Sequence, residues 1–270
     1  IMIAAFIFSV TRSREPSYQG KKLSDWLEEF VSGDPPHRAS AEMEFALRQM
    51  GTNTLPFLLK RLGTKDSRIK PKIEEWAGKQ DVIRVRLNDN AHKDRATAVA
   101  AFEILGPVAK PAIPDLQKML NNTDNDFQVA NALAGIGPDA IPALTNTWSH
   151  SKPAIRRSGF TALVDMGTNA ETALPFLVMG LRDADPDIRW AAALAMWHVG
   201  STQPALVIPP LVKSLDESDT RVSRTAIGSL GRFGARAKAA VPRLTELLTQ
   251  VPESGSAALA LASIMGTNQS

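Results

Sequence analysis

Apolar residues along this chain recur at helical spacing in a unit headed by proline. A small or aliphatic residue precedes the proline, a leucine follows two positions later, and a second large apolar residue comes four positions after that. Six copies occur: Pro56 with Leu58 and Leu62, Pro114 with Leu116 and Leu120, Pro142 with Leu144 and Trp148, Pro175 with Leu177 and Leu181, Pro209 with Leu211 and Leu215, and Pro242 with Leu244 and Leu248. Proline suits the first turn of a helix, where its missing N–H has no partner to lose, and the two apolar positions fall close to one face. The pattern predicts six helices that start alike and bury the same face.

A second set of amphipathic stretches interleaves with the first. Each ends on a glycine: Gly51, Gly106, Gly137, Gly167, Gly200, Gly234 and Gly266. The positions one and four before each glycine are apolar, as in Met50 and Leu47, Leu105 and Phe102, or Phe233 and Leu230. Glycine stops a helix by entering the left-handed region without a side-chain clash. A second helix therefore ends at each glycine, and a short turn leads to the next proline.

From Gly106 onward the glycines recur every 30 to 34 residues, room for two short helices and two turns. First helices are expected near Pro114, Pro142, Pro175, Pro209 and Pro242, with no strand beyond a possible extended piece at 82–87. The Pro-x-Leu starts, together with Ile155-Arg156, Ile188-Arg189 and Arg221-Val222 at the second helices, resemble HEAT repeats. The closest likeness is to the short HEAT-like variety first associated with phycobilisome lyases. It covers about residues 36 to 266 and implies an all-α, right-handed solenoid of helical hairpins. It implies fold and not function.

The amino-terminal end departs from the repeat pattern. Ile1 to Val10 is an unbroken apolar run with one serine, too short to span a bilayer, followed by Arg12 and Arg14. It reads as part of a signal or retained membrane anchor, with a linker to residue 17, ahead of a solenoid over 18–270. Tyr18-Gln19-Gly20-Lys21-Lys22-Leu23, followed by Trp26-Leu27, resembles the box that opens a group of membrane-anchored bacterial HEAT-repeat proteins. The likeness implies a membrane-anchored or exported bacterial protein, the side of the membrane being open. Physically, Ser24 or Asp25 can cap a helix whose Trp26, Leu27 and Phe30 cover the end of the stack, which has no neighbouring repeat to bury it. One interval breaks the period: 55 residues separate Gly51 from Gly106. The excess lies in about 63–93, with a possible helix at Ile69–Trp76 and alternation of apolar and basic residues at Val82–Leu87.

Composition narrows the chemistry. The net charge of +3 does not demand a polyanionic partner, and the absence of cysteine removes thiolate ligands and nucleophiles. The histidines at 37, 92, 150 and 198 are scattered, and no phosphate loop or nucleophile elbow occurs. Asp183, Asp185 and Asp187 mimic the opening of a calcium loop but lack its glycine and glutamate, and read as a turn and helix cap. The sequence thus points to a non-enzyme without cofactor or metal.

What remains is the face of the second helices. Two residues before successive glycines stand Asp165, His198 and Arg232; ten before stand Arg157, Trp190 and Arg224. Arginines beside a tryptophan can pack by cation–π contact and form an adhesive patch. The basic stretch Arg221 to Gln250 favours an acidic protein segment, an anionic lipid surface or nucleic acid, and without the interleaved aromatics of single-strand binders a protein partner is the better reading. The expected function is a scaffold that binds a protein partner on its concave face through Arg157, Asp165, Trp190, His198, Arg224 and Arg232. The alternatives are a lyase-like accessory protein acting on a partner-bound cofactor, or a HEAT-like nucleic-acid-binding protein.

Overall fold

The computed structural model describes residues 15–32, 39–65, 90–122, 126–200, 202–249 and 254–266. The apolar run 1–10, the helix expected at 69–76 and the alternating piece at 82–87 lie outside them. Among the described residues fourteen helices follow in chain order: α1 (Leu23–Ser32), α2 (Ala41–Met50), α3 (Leu55–Leu62), α4 (Asn90–Leu105), α5 (Ile113–Asn122), α6 (Asp126–Ile136), α7 (Ile141–Thr145), α8 (Pro153–Met166), α9 (Leu174–Gly180), α10 (Pro186–Val199), α11 (Pro204–Lys213), α12 (Thr220–Phe233), α13 (Val241–Leu247) and α14 (Ser254–Met265). Among the described residues strand occurs as one small ribbon, β1 (Ser17–Tyr18) with β2 (Lys21–Lys22).

The helices form two layers. Each second helix packs along the next, in the order α4, α6, α8, α10, α12, α14, while the short first helices meet their successors largely through the turns between them. Those turns are 3₁₀ segments, for example Gly106–Ala112, Gly167–Ala173 and Gly234–Ala240. One continuous core runs the length of the stack. Local interfaces repeated in series make an all-α solenoid.

The repeat signature performs as expected with three corrections. Leu58, Leu116, Leu144, Leu177, Leu211 and Leu244 are fully buried, but Leu248 is 40% exposed, because α13 ends one residue earlier and Leu247 takes the inward position. The helix expected to begin near Pro209 begins at Pro204 and runs through Pro209 and Pro210, since the connecting segment here is α-helical and not 3₁₀. The terminating glycines leave their helices at positive φ with ψ near −135°, as at Gly51, Gly167 and Gly234. That region lies outside the left-handed helical well and is essentially reserved to glycine. Gly200 differs, with φ −94°; a Cβ there would meet Val207 Cγ2 at 2.1 Å, so close packing requires the glycine.

The ribbon is a departure from the expectation of no strand outside 82–87. Gln19 and Gly20 both have positive φ, the turn that suits a two-residue hairpin. The hairpin leads into α1, where Leu23 and Leu27 are fully buried and Trp26 is half-buried beneath Lys21 Nζ, 3.7 Å from its ring centre. Glu15 Oε1 accepts from Ser24 N at 2.6 Å, and the Pro16 carbonyl accepts from Leu23 N at 2.8 Å. The opening segment thus covers the first repeats, with β1 on α2 and α1 on α4. Where the insertion departs, Arg61 pairs with Asp94 at 2.5 Å and Arg95 donates to the Thr64 carbonyl at 2.9 Å, holding the end of α3 beside the start of α4.

Candidate partner-binding surface

The starts of the second helices are stitched from repeat to repeat. Arg156 of α8 donates through both Nε and Nη2 to the carboxylate of Asp183, each at 3.0 Å, and Arg189 of α10 donates to Glu217 at 3.1 Å. A parallel chain lies one residue along. Asp187 of α10 accepts from Arg157 of α8 at 2.6 Å and from Arg221 of α12 at 2.8 Å, so one carboxylate ties three successive helices. Arg221 also grips Asp219, whose carboxyl is held down to about 2 by those hydrogen bonds, and the same guanidinium holds Asp187 below its ordinary range. Asp183 and Asp185 accept from the amides of Asp185 and Asp187, the turn and cap read from the sequence. Arg157, named as a binding residue, is therefore a rung of this inter-repeat chain.

Further along the same face, side chains two positions before the glycines line up on neighbouring helices. Asp165 of α8, His198 of α10 and Arg232 of α12 are all exposed. Partial desolvation among the neighbouring helices raises the Asp165 carboxyl above its usual range, and the nearby His198 charge partly offsets this. Glu103 of α4 is raised as well, first by partial desolvation and then by the negative charge of Asp165. Between them α6 contributes Gly135, where a Cβ would lie 2.9 Å from Glu103. Glu103 was missed from the sequence because it stands three positions before Gly106, one out of register with the ladder.

The aromatic part divides differently from the expectation. Trp190 is exposed at 38%, on the surface of α10. Trp197 is half-buried, edge-on to Phe233 at 5.6 Å, and the Arg232 guanidinium lies 5.0 Å from its ring centre. The cation–π contact foreseen for Trp190 thus occurs at Trp197. Arg224 is exposed on α12. The basic run is partly neutralised within the stack, since Arg221 serves Asp187 and Asp219 while Arg243 serves Asp216 and Glu246.

Arg224 and Arg232 border a groove of about 340 Å³ between α12 and α14. Gly228 lies between them on α12, and Ser256, Leu259 and Ser263 form the opposite wall. The spacing of four that joins residues 224, 228 and 232 was visible in the sequence; the wall from α14 was not. Among the described residues no group of three or more histidine and carboxylate side chains could hold a metal ion.

The HEAT-repeat family profile matches residues 126–197 and 174–264, just over half of the chain. The chain belongs to the HEAT-repeat family. Its fold is similar to a HEAT chain in the structure describing how Kap95p binding switches the loops of RanGDP, at 9% identity and TM-score 0.52. That likeness covers 90% of this chain and 33% of the other, so the HEAT stack here spans a third of that protein's length. Looser likenesses are to an engineered protein (20% identity, TM-score 0.48, covering 78% of this chain and 96% of that one) and to the complex of CpcE and CpcF of phycocyanin lyase from Nostoc sp. (19%, 0.36, 92% and 97%). None of the curated proteins matches the sequence. A HEAT stack presents extended surface without a central pocket, which fits a protein-interaction scaffold.

Proposed function

We propose that this protein is a non-catalytic scaffold that holds a protein partner on the concave, second-helix face between α8 and α14. The observation that carries the reading is the row Asp165, His198 and Arg232 on successive helices, with Trp190 exposed beside it. Exposed tryptophan and arginine are the residue types that dominate protein interfaces, and a row repeated across three helices can register an extended partner. The similar fold of the chain in the Kap95p structure agrees with a scaffold role.

Site-specific photo-crosslinking tests it. A crosslinker placed at Trp190 is expected to trap a discrete protein in cells, whereas one at Met179, exposed on the first-helix layer, is not. Equal labelling from both positions, or a Trp190→Ala variant that retains full partner recovery, overturns the assignment of the face.

A further inference from the structure

Gly228 lies in the middle of α12, where glycine costs roughly 1 kcal/mol relative to alanine. Three other glycines inside the second helices have packing reasons, whereas Gly255, in the first turn of α14, is open like Gly228. A Cβ at Gly231 would meet Ala260 Cα at 3.0 Å, one at Gly159 the Thr147 Oγ1 at 2.2 Å, and one at Gly135 the backbone of Glu103. A Cβ at Gly228 would meet nothing within 4 Å, and its φ is not positive. Neither packing nor backbone conformation accounts for the glycine, and its bare backbone lets another chain approach the helix closely.

The surroundings state what that chain is. Arg224 and Arg232 stand one turn to either side of Gly228, about 12 Å apart along the axis at 1.5 Å per residue. Across the groove Leu259 is 72% exposed, the most open large apolar side chain among the described residues. The walls are firmly set: Ser263 Oγ donates to the Gly231 carbonyl at 2.7 Å, and Arg232 is seated on Trp197. The groove is thus an apolar trough with a cation at each end.

Resting on the scaffold reading, we infer that this groove seats an extended peptide segment of the partner, with an apolar side chain against Gly228 and Leu259 and carboxylates two residues before and after it meeting Arg224 and Arg232. The dimensions agree. An extended chain advances about 3.3 Å per residue, so residues four apart span about 13 Å, and with the residue between them they point to one side. A nucleic-acid strand fits less well, because the trough offers an aliphatic side chain and not an aromatic platform for bases.

The probe is a synthetic peptide, Glu-Thr-Leu-Thr-Glu between Gly-Ser flanks, titrated into the full chain while the Trp197 indole N–H resonance is followed. Saturable shifts are expected, weakened at least tenfold when both glutamates become glutamine, when the leucine becomes serine, or in an Arg224→Glu, Arg232→Glu double variant. Gly228→Gln is expected to raise the melting temperature and yet abolish the shifts, which separates blockage of the groove from unfolding. Undiminished binding by Gly228→Gln, or displacement of the peptide by oligo-thymidine at equal charge, overturns the inference. So does the absence of any saturable shift. If crosslinking from Trp190 still traps a partner while the peptide does not bind, the groove assignment alone has failed; if both fail, the scaffold reading has failed with it.

Discussion

Gly228 and Gly231 stand three positions apart in α12 under opposite constraints. Alanine at 231 has to push Ala260 away and separate two helices, so Gly231→Ala is expected to destabilise by about 1–3 kcal/mol as an overpacking change. Alanine at 228 meets nothing and gains helix propensity, so Gly228→Ala is expected to stabilise by roughly 0.5–1 kcal/mol. Thermal unfolding of the two variants, opposite in sign, checks this. The leucines divide in the same way: Leu177→Ala should cost about 2–5 kcal/mol and Leu248→Ala under about 0.5 kcal/mol, because one is fully buried and the other lies outside. The sequence could tell that leucine followed proline at a fixed spacing, which placed Leu177 correctly. It could not tell 247 from 248 at the end of α13, where one residue of helix termination decides which side chain turns inward. Nor could it distinguish a packing glycine from an open one, since that depends on what a neighbouring helix presents.

Between elements, the carboxylate–guanidinium chain at the starts of α8, α10 and α12 carries a pH dependence whose sign is fixed by its cause. Asp187 and Asp219 titrate below their ordinary value in the folded chain because Arg221 hydrogen-bonds to them. Their contribution is therefore present above the unfolded aspartate value, near pH 4, and is lost as pH falls from about 4 through the folded value of about 2 for Asp219. Asp165 and Glu103 are raised and act oppositely: what their ionisation costs the fold is relieved as pH drops into the upper carboxylate range. The melting temperature is expected to hold or rise slightly on mild acidification and then fall below about pH 4. An Asp187→Asn, Asp219→Asn variant should start lower at neutral pH and lose less over the acid limb; parallel limbs for the two proteins would contradict the assignment. These links were only half legible. Asp183 and Asp187 read as part of a turn and cap from local spacing, but their arginine partners lie about thirty residues away, a distance the period suggests only once the repeats are stacked.

For the whole molecule, the repeat period was legible because every unit must bury the same face against its neighbour, and that constraint writes itself into the sequence at regular intervals. The face that meets a partner is under no such constraint, so Asp165, His198 and Arg232 could be aligned by counting, while Glu103, Trp197 as the ring beneath Arg232, and the α14 wall emerged only from the packing of adjacent helices. Serial packing also sets how the stack comes apart. With contacts confined to neighbours, a local defect should weaken its own and adjacent repeats and leave distant ones protected. Leu211 of α11 is fully buried beside α12, whereas the main packing partners of α4 and α6 are their own neighbours in the stack. Leu211→Ala is therefore expected to speed amide hydrogen exchange in α10 to α14 while exchange in α4 and α6 stays within error of the parent. Leu116→Ala, in α5, should do the reverse. If either substitution accelerates exchange uniformly from α4 to α14, the stack unfolds as one cooperative unit, and additive repeat energetics do not describe it.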